Sequence, residues 1–530
     1  MELATYLSIL LFLAIFLISY VIYSLISEIL FFRSKKILHL GNSYLTAFYY
    51  MTFKSKSMWE LVHVAYTKTR QANVPIAGNF EMGLVNYFIP DLTILKHILV
   101  KDFDHFVNRR AITIPKSDLL TKKMLFFMYD EPWKALRSKL SPTFTTGKIK
   151  RFFALFNASA KKLVDYIDAQ TEGEVDLVAA YSKFTTDTIA SAVCGMDSCA
   201  FEQKEHSVFE RMGQKLQFSF NLGMITRFVV MSCFPGIAER GMTIFGDEVS
   251  AFFGGGIKSL IRERTQTGRK GNDFIQLMME ARENKLAKTE DSELESFERD
   301  AVIKGEVKGQ VADLLDDDGI VSNCVLFIVA GYDTTQSLLL FCAYALAIHP
   351  EIQDKLRTVV DEGLEESGGD FTYEGINQMT YLDMVINETL RFYPPAPTMD
   401  RRCTQDYAVP GTDVVIKKGD GIMVPVLGIH HDERYYSEPE KFDPERFSPE
   451  NKGKINQYAF LPFGQGPRNC IGMRFALMEV KLAIAQLVHN FDIEPSKRTP
   501  IPMEYQNAGS LMPKGGMWLS LKRRPGTLQD

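Results

Sequence analysis

The first apolar segment of the chain is its N-terminus, where residues 3–26 run for 24 positions without a charged side chain. As a helix rising about 1.5 Å per residue, this segment is long enough to span the apolar core of a bilayer. A cleaved secretory signal would be shorter and would start with basic residues, whereas here the start is Met1-Glu2 and bulky residues continue to Phe32. The pattern predicts a retained transmembrane anchor over residues 1–30 and a membrane-proximal linker over 31–60, with a buried core helix as the alternative.

Basic residues follow the apolar segment directly at Arg33, Lys35 and Lys36, whereas Glu2 is the charged side chain that precedes it. Short flanking segments rich in Lys and Arg stay on the cytosolic side of a membrane. We therefore expect a single-pass topology with the body of the chain in the cytosol.

After residue 60 the apolar positions recur mainly with a helical period. The clearest predicted helices are 133–140, 150–167, 209–218 and 351–364. Short patches of strand-forming residues predict brief strands at 407–409, 414–416 and 517–521. The alternation of strands and helices expected of a nucleotide-binding sheet is missing from this pattern. The chain is therefore predicted to be mainly α with small β-sheets, with a single catalytic domain over residues 61–530.

Residues 321–348 form a long apolar segment that follows a charged stretch, 280–318, which we interpret as a solvated surface connection. Such a helix belongs in the protein core, because Asp333 near its middle would cost a few kcal/mol in a membrane. On a helix, Ala330, Asp333 and Thr334 share one face. We call residues 330–336 the polar island of this segment. Two interpretations fit it: a kinked helix whose polar groups are satisfied within the helix, or a site that delivers protons to a metal-bound ligand.

Composition narrows the function classes. The 530 residues are 46% hydrophobic and 24% charged, which describes a globular body with a sizeable core. A formal net charge of −5 and a pI near 6.1 give no electrostatic basis for binding nucleic acid.

The cysteines are few, odd in number and without any C-x-x-C pair, which excludes a disulfide scaffold and a structural zinc site. They are Cys194, Cys199, Cys233, Cys324, Cys342, Cys403 and Cys470. This pattern is typical of a protein whose body lies in a reducing compartment.

One of these cysteines, Cys470, lies in a loop rich in Gly and Pro that leads into a helix predicted to begin near Met473. A thiolate close to a helix N-terminus is stabilised by the helix dipole and by unpaired N–H groups. A lone cysteine is more often a small buried apolar side chain than a ligand, so the residue type alone does not assign a function.

The residues around Cys470 favour the role of a ligand over that of a buried apolar side chain. Phe463 supplies an aromatic shield, Gly466 and Gly472 allow close approach to the backbone, and Arg468 offers a cation to the anionic edge of a cofactor. Their spacing, Phe-x-x-Gly-x-Arg-x-Cys-x-Gly, resembles the cysteine loop of the cytochrome P450 family. The resemblance implies the cytochrome P450 fold and heme b, with the thiolate of Cys470 as the axial ligand of the iron.

Other segments resemble further marks of this family. Glu388 and Arg391 match its Glu-x-x-Arg helix, and residues 442–447 match the segment whose arginine, here Arg446, completes a structural ion-pair network. Without the resemblance, Glu388 and Arg391 could equally be an exposed helix pair contributing a few tenths of a kcal/mol.

The resemblance also implies a set of residues around the heme. Trp133, Arg137, Arg401 and Arg468 are expected at the propionates, because carboxylates in a poorly solvated site need charge-assisted hydrogen bonds. The full set of implied cofactor-binding residues is Cys470, Trp133, Arg137, Arg401, Phe463, Arg468, Gly472 and Ala330.

The implied activity is insertion of one oxygen atom of O2 into a lipophilic substrate. Electrons would come from NADPH through a membrane-bound reductase, with cytochrome b5 as an alternative donor, and Asp333 and Thr334 would deliver the protons, Thr334 by hydrogen bonding to the dioxygen. A biosynthetic hydroxylase of a hormone or sterol, and a heme isomerase or sensor that needs no electrons, are the alternatives. The implied location is the endoplasmic reticulum membrane.

Large apolar side chains at positions that line the substrate site in the family suit a lipophilic substrate. They lie in 112–126, at Phe218, Phe220, Phe327 and Ala330, and in 395–398 and 509–512. A basic patch for the reductase is expected at Lys134, Lys139, Lys148 and Lys150, although such charges are more often only solvated. Residues 33–60 contain no proline, whereas microsomal members of the family usually carry a proline-rich hinge after the anchor.

Overall fold

The computed structural model describes residues 2–41, 49, 56–81, 84–110, 114–170, 173–202, 207–216, 223, 226–227, 230–231, 234–286, 301–303 and 312–526. Its α-helices are α1 Glu2–Ser34, α2 Met58–Gln71, α3 Leu92–Lys96, α4 Leu119–Lys122, α5 Asp130–Leu140, α6 Thr146–Asp168, α7 Leu177–Ile189, α8 Val208–Lys215, α9 Pro235–Ala238, α10 Asp247–Thr267, α11 Phe274–Arg282, α12 Asp317–Ile348, α13 Pro350–Glu366, α14 Tyr373–Gln378, α15 Thr380–Phe392, α16 Val426–His430, α17 Pro449–Lys452 and α18 Met473–Asn490. Its strands are β1 Leu38–His39, β2 Ala77–Glu81, β3 Leu84–Phe88, β4 Val175–Asp176, β5 Met399–Arg402, β6 Tyr407–Ala408, β7 Val415–Ile416, β8 Gly421–Val424, β9 Phe491–Pro495 and β10 Trp518–Arg523.

The chain divides into two compact units. The sheet unit comprises Met1–Arg110 and Thr398–Gly428, and the helical unit comprises Ala111–Pro397 and Ile429–Asp530. The sheet unit contains a five-stranded sheet in the order β1-β2-β3-β8-β5. Within it β1 runs parallel to β2 and β3 parallel to β8, whereas β2 with β3 and β5 with β8 are antiparallel. The small sheet β6-β7 belongs to the same unit.

The helical unit is built around α12, from Asp317 to Ile348, whose C-terminal half is buried on almost every side. Asp316 caps its N-terminus by accepting the N–H of Gly319 at 2.7 Å. The helix packs against α7, α10, α15 and α18. Among the described residues, α12 is a helix long and apolar enough to cross a membrane, but 61% of its most apolar stretch is buried inside the protein. Its apolar character is therefore that of a core helix, as predicted.

Most predicted elements have counterparts close to their expected limits. The helices expected at 133–140, 150–167 and 351–364 are α5, α6 and α13, each extended by a few residues, and the three expected strands are β6, β7 and β10. The helix expected over 209–218 is α8, which ends at Lys215, and residues 217–222 lie outside the described residues.

The charged stretch at 280–318 is described only in part, and Glu290 to Glu293 lie outside the described residues. At its end, Asp317 and Asp318 form ion pairs with Arg282 at 2.8 Å and with Lys258 at 2.6 Å. These acidic residues also lie in the first turn of α12, where carboxylates are favoured by the helix dipole.

Candidate functional site

The cysteine loop is shaped by two glycines in the left-handed region of backbone conformation, Gly464 with φ of 75° and Gly466 with φ of 74°. Their turns bring the N–H of Cys470 to 2.8 Å from the carbonyl oxygen of Phe463. The helix that follows, α18, begins at Met473 as predicted. Cys470 therefore lies three residues ahead of a long helix, on a loop whose backbone is closed by its own hydrogen bonds.

Cys470 differs from the other described cysteines in its exposure. It is exposed, although the preceding loop residues from Gln465 to Asn469 are buried. Cys194, Cys324, Cys342 and Cys403 are buried. Burial raises the pKa of the Cys342 thiol to about 12 and that of Cys403 to about 11, so these thiols stay protonated and inert at neutral pH. The exposed thiol is thus the one at the predicted ligand position.

Two arginines hold the cysteine loop. Arg137 of α5 donates from Nη1 to the carbonyl of Asn469 at 3.0 Å and from Nη2 to its side-chain oxygen at 2.7 Å. Arg468 donates to the carbonyl of Met128 at 2.6 Å, and its guanidinium lies 4.4 Å from the ring centroid of Trp133. The structure therefore brings Trp133, Arg137 and Arg468 together around the residue next to Cys470. The side chain of Asn469 was not identified from the sequence, although its position beside the cysteine was a signal.

The other predicted loop residues have less distinctive surroundings. Phe463 and Gly472 are half-buried. A Cβ added at Gly472 would meet Phe144 at 3.9 Å, which is ordinary contact, so the described protein atoms leave room for a side chain there. Gly472 therefore remains a predicted cofactor-binding residue that the contacts of the described chain do not test.

Glu388 and Arg391 form a fully buried pair, since both side chains are 0% exposed. Nε and Nη2 of Arg391 donate to the two carboxylate oxygens at 2.7 and 2.8 Å. Nε of Arg446 lies 3.5 Å from Glu388 Oε1, and the N–H of Asp443 donates to the same oxygen at 2.8 Å. The three residues of the expected network are therefore together, and they are buried rather than exposed on a helix surface.

His430 connects this network to the cysteine loop. Its carbonyl accepts from Arg391 Nη1 at 2.8 Å, and its Nδ1 lies 3.1 Å from the carbonyl oxygen of Arg391. Its Nε2 accepts the N–H of Leu461 at 2.9 Å, just before the loop begins. Burial, followed by the nearby Arg391 charge, lowers the pKa of His430 to about 3, so the ring stays neutral with its proton on Nδ1. In the sequence, His430 is marked only by its position between the Glu-x-x-Arg helix and the cysteine loop.

The polar island of α12 opens one face of an otherwise buried helix. Ala330 and Thr334, one turn apart, are exposed, and Asp333 beside them is half-buried. The hydroxyl of Thr334 donates to the carbonyl of Ala330 at 2.6 Å. Gly331 packs closely against α7, since a Cβ there would lie 3.1 Å from Ile189 Cδ1.

The predicted substrate segments are partly linked by hydrogen bonds. The carbonyl of Pro395 accepts the N–H of Leu511 at 3.0 Å, and the carbonyl of Leu511 accepts the hydroxyl of Ser337 on α12 at 2.6 Å. Phe327 packs its ring against Phe144 and Phe274, with centroids 5.2 and 5.4 Å apart, in an aromatic cluster under α12. Ile112, Phe218 and Phe220 lie outside the described residues.

Arg401 lies on β5 of the sheet unit and is 0% exposed. Its Nη1 donates to the carbonyl of Asp400 at 2.8 Å, but among the described residues Nε and Nη2 have no hydrogen-bond partner. Burial, with a contribution from the Arg109 charge, lowers the pKa of Arg401 to about 9. A buried guanidinium with two unused donors is costly unless an anion from outside the chain binds to it.

These observations fit the heme that the resemblance implies. In the helical unit, an exposed thiol ends an otherwise buried loop, and an open face with Ala330 and Thr334 interrupts the core helix. In the sheet unit, taken by itself, the buried Arg401 has two donors without a partner among the described residues. Thiolate sulfur is a known axial donor to heme iron, and arginine is suited to bind carboxylates such as propionates.

The whole chain also resembles known proteins. The family model described as Cytochrome P450 matches residues 43–520. Cytochrome P450 9e2 of Blattella germanica is 34% identical over 84% of this chain and 85% of its own length. Probable cytochrome P450 6a14 of Drosophila melanogaster is 35% identical over 85% and 87%, and cytochrome P450 3A31 of Mesocricetus auratus is 36% identical over 83% of each. The chain therefore belongs to the cytochrome P450 family, a class of monooxygenase oxidoreductases that use heme b with an axial cysteine.

Proposed function

We propose that this protein is a membrane-anchored monooxygenase that oxidises a lipophilic substrate, with Cys470 as the axial ligand. The observation that carries the assignment of the ligand is the exposure of Cys470 at the end of a buried loop, beside a helix N-terminus. When bound, heme supplies an iron on which O2 is reduced. The Cys470 thiolate would hold that iron and supply electron density to it, and the hydrogen bonds of Arg137 to Asn469 hold the loop that carries the cysteine.

The ferrous carbon-monoxide spectrum tests the ligand. We expect the purified protein to show the red-shifted thiolate band and Cys470→Ser to lose it. Cys199→Ser is the matched control, because it removes a half-buried thiol outside the loop and should keep the band. Loss of the band in the Cys199 variant together with its retention in the Cys470 variant would reverse the assignment.

Asp333 and Thr334 are proposed to deliver protons to the reacting oxygen. Their support is position, since Thr334 is exposed on the open face of α12 and Asp333 is half-buried beside it. Thr334 already donates to the carbonyl of Ala330, so its hydroxyl oxygen keeps acceptor capacity for a proton from Asp333 or from water. General acid catalysis of this kind contributes about 10²–10⁴-fold.

Coupling of NADPH consumption to product tests this role. Thr334→Ala should continue to consume NADPH while releasing more hydrogen peroxide and less product. Thr335→Ala is the control, because Thr335 is buried about 100° around the helix from Thr334 and should leave the peroxide fraction unchanged. Equal coupling in the Thr334 variant and the parent enzyme would remove Thr334 from proton delivery.

Electron supply is proposed to come from an NADPH-dependent reductase with an acidic docking surface. Of the four lysines expected in the basic patch, Lys134 pairs with Glu131 at 3.1 Å, Lys150 pairs with Glu374, and Lys139 contacts Asn284. Lys148 instead lines a cavity of about 340 Å³ whose other charged residues are Arg151, Lys270, Asp273 and Glu280.

A charge reversal at Lys148 therefore supplies the sharper test of the patch. Lys148→Glu should slow the first electron transfer and leave the spectral shift on substrate binding intact. Lys150→Glu, whose charge is already paired, is the matched comparison and should have the weaker effect. A change in substrate binding without a change in reduction rate would eliminate the patch.

A further inference from the structure

A buried cluster of polar side chains joins three helices of the helical unit behind the open face of α12. Its members are Ser182 and Lys183 of α7, Glu210 of α8 and Tyr332 of α12, and all four are buried. Burying a polar group is costly unless its hydrogen bonds are completed. The three helices must therefore meet in one arrangement for these side chains to satisfy one another.

The hydrogen bonds of this cluster run in one direction. The hydroxyl of Ser182 donates to Oε1 of Glu210 at 3.0 Å. A serine hydroxyl has a single proton, so the Tyr332 hydroxyl, which is hydrogen-bonded to the same Ser182 oxygen, is the donor in that pair. Tyr332 thus donates to Ser182 and Ser182 donates to Glu210, in a chain that ends at a carboxylate.

Further contacts hold both ends of this chain. Lys183 Nζ lies 4.0 Å from Oε2 of Glu210 and donates to the carbonyl of Ala200 at 2.6 Å, so a buried cation faces the buried carboxylate. Gln214, one turn beyond Glu210 on α8, is a second hydrogen-bond partner of the Tyr332 hydroxyl. Tyr332 of α12 is therefore tied to α7 and to α8.

The Tyr332 hydroxyl stays a neutral donor at neutral pH. Burial raises its pKa to about 12, and the hydrogen bond with Ser182 offsets this rise only in part. The charges of Glu210 and Asp333 act on the hydroxyl in the same direction as burial. The hydroxyl therefore lies within electrostatic reach of Asp333, one of the two residues proposed to deliver protons.

Tyr332 lies behind the open face of α12. At about 100° per residue, it is about 200° around the helix from both Ala330 and Thr334, the exposed residues of that face. The cluster is thus a fixed point at the rear of the turn that carries Thr334. If this turn rotated by roughly 15°, a side-chain atom about 5–6 Å from the helix axis would move by about 1.5 Å. A misplacement of about 1 Å can lower the rate of a reaction by about 10²-fold.

We infer that Tyr332 is a positioning residue for proton delivery, and that Glu210, acting through Ser182, holds it in place. This inference rests on the role proposed above for Asp333 and Thr334. Tyr332 acts through the orientation of α12 and transfers no proton itself. When its hydroxyl is lost, the Thr334 hydroxyl is displaced, and two electrons from NADPH with two protons convert O2 to hydrogen peroxide in place of product formation.

Tyr332→Phe tests the positioning role, because it removes the hydroxyl and keeps the buried ring. The holoenzyme is assayed with its reductase and with an alkoxycoumarin that the parent enzyme dealkylates. We expect the fraction of NADPH recovered as hydrogen peroxide to rise by roughly 3–10-fold, with KM for the coumarin and the spectral shift on its binding unchanged. An unchanged peroxide fraction would overturn the role of Tyr332.

Tyr181→Phe is the matched control. It removes the same atom from another fully buried tyrosine, on α7, whose hydroxyl has no hydrogen-bond partner among the described residues. The peroxide fraction of this variant should equal that of the parent. A rise as large as in Tyr332→Phe would mean that loss of any buried hydroxyl has this effect, which would also overturn the inference.

Variants of Glu210 separate positioning from proton supply. Glu210→Gln keeps an oxygen that accepts from Ser182, so its peroxide fraction should match that of the parent. Glu210→Leu removes the acceptor and should raise the fraction as Tyr332→Phe does. Equal rises in the Gln and Leu variants would mean that Glu210 supplies protons and does not act by holding Tyr332. The ferrous carbon-monoxide band confirms that each variant is folded.

Amide hydrogen exchange of the holoenzyme gives a readout that is independent of turnover. Peptides covering residues 328–336 should exchange faster in Tyr332→Phe and Glu210→Leu than in the parent and in Tyr181→Phe, and equal exchange in all four proteins would overturn the restraint on α12. Failure of the proposed function has a different signature. Unchanged coupling in Thr334→Ala would remove proton delivery itself, whereas uncoupling in Thr334→Ala without uncoupling in Tyr332→Phe would overturn only the positioning role.

Discussion

Arg391 in the helical unit and Arg401 in the sheet unit are both fully buried, but their surroundings are opposite. Arg391 has a bidentate carboxylate in Glu388 and carbonyl acceptors from His430 and Lys441. Arg401 has one carbonyl, from Asp400, and two donor nitrogens without a partner among the described residues. Among the described residues, the hydrogen bonds of Arg391 are complete, whereas those of Arg401 are not.

This difference separates a structural charge from a charge kept for a ligand. Burying an ion is costly in either case, and the cost is offset only when its hydrogen bonds are completed. Arg391 is complete within the protein, so its role is to hold α15 against the segment before the cysteine loop. Arg401 has two donors without a partner among the described residues, and we interpret it as a charge kept for an added anion, such as the propionate that the family resemblance implies.

The largest effect is expected at the satisfied arginine. Arg391→Ala leaves the Glu388 carboxylate buried without its main partner and should lower the free energy of unfolding by about 3–5 kcal/mol. Denaturant unfolding of the holoenzyme measures the loss. Glu494→Ala is the control, because its ion pair with Lys522 is exposed, with the two side chains 53 and 62% accessible, and should change stability by less than about 1 kcal/mol. Similar losses of stability in both variants would show that the buried ion pair contributes no more than an exposed one.

Replacing Arg401 should have opposite effects on the stability of the apoprotein and on the affinity for heme. Arg401→Met removes an uncompensated buried charge, so the apoprotein should be as stable as the parent or more stable. Heme affinity should fall by roughly 10–100-fold, the equivalent of about 1.5–3 kcal/mol for hydrogen bonds to a charged group. Heme titration of the apoprotein and its unfolding in denaturant measure the two effects. A destabilised apoprotein would mean that Arg401 has a structural partner after all.

The pH dependence follows from the pKa of Arg401, which burial lowers to about 9 in the folded protein from a much higher value for the free side chain. Between these values the unfolded chain binds the proton and the folded chain does not, so stability rises with pH in this window. Below about pH 9 the penalty of the buried charge is present in full. The advantage of the Arg401→Met apoprotein should therefore be largest at pH 8 and shrink as the pH is raised towards 10.5, whereas a constant difference would contradict the shift.

The sequence predicted those parts that depend on local pattern. The limits of α12 and α18 follow from apolar runs and from the Gly/Pro-rich loop before Met473, and the Glu388–Arg391 spacing is set by one helical turn. The function of Cys470 required the surrounding motif, because no property of the residue alone separates it from the other thiols.

The parts that escaped prediction are contacts between distant segments. His430 joins Arg391 to Leu461 through partners 39 and 31 residues away, and no local pattern indicates such partners. The ring of Phe32 on α1 packs against Gly78 of β2, where an added Cβ would lie 2.5 Å from the ring. In the sequence, Gly78 has no feature that indicates this contact. The close packing of Ile189 on Gly331 joins residues 142 positions apart, and the sequence gives no sign of it.

A third buried ionisable side chain, Glu479 on α18, shows another way in which a protein can avoid the free-energy cost of burying a charge. It is 0% exposed, and neither carboxylate oxygen has a hydrogen-bond partner among the described residues. Burial raises the pKa of this carboxyl well above its usual 4.5, and the nearby Thr188 hydroxyl offsets this only in part. Unlike the arginines, the group can avoid the penalty by keeping its proton.

Glu479→Gln makes that neutral state permanent. Because the folded pKa is raised, the native protein binds a proton that the unfolded chain has lost, and its stability falls as the pH rises from about 4.5 to the folded value. The Gln variant does not titrate, so its stability relative to the parent should increase by about 1.4 kcal/mol per pH unit across this window. Unfolding in denaturant at a series of pH values rising from 4.5 measures the slope and shows where it ends. Parallel profiles for the two proteins would mean that Glu479 is ionised in the fold, and neutralisation would then not be how this chain accommodates a buried acid.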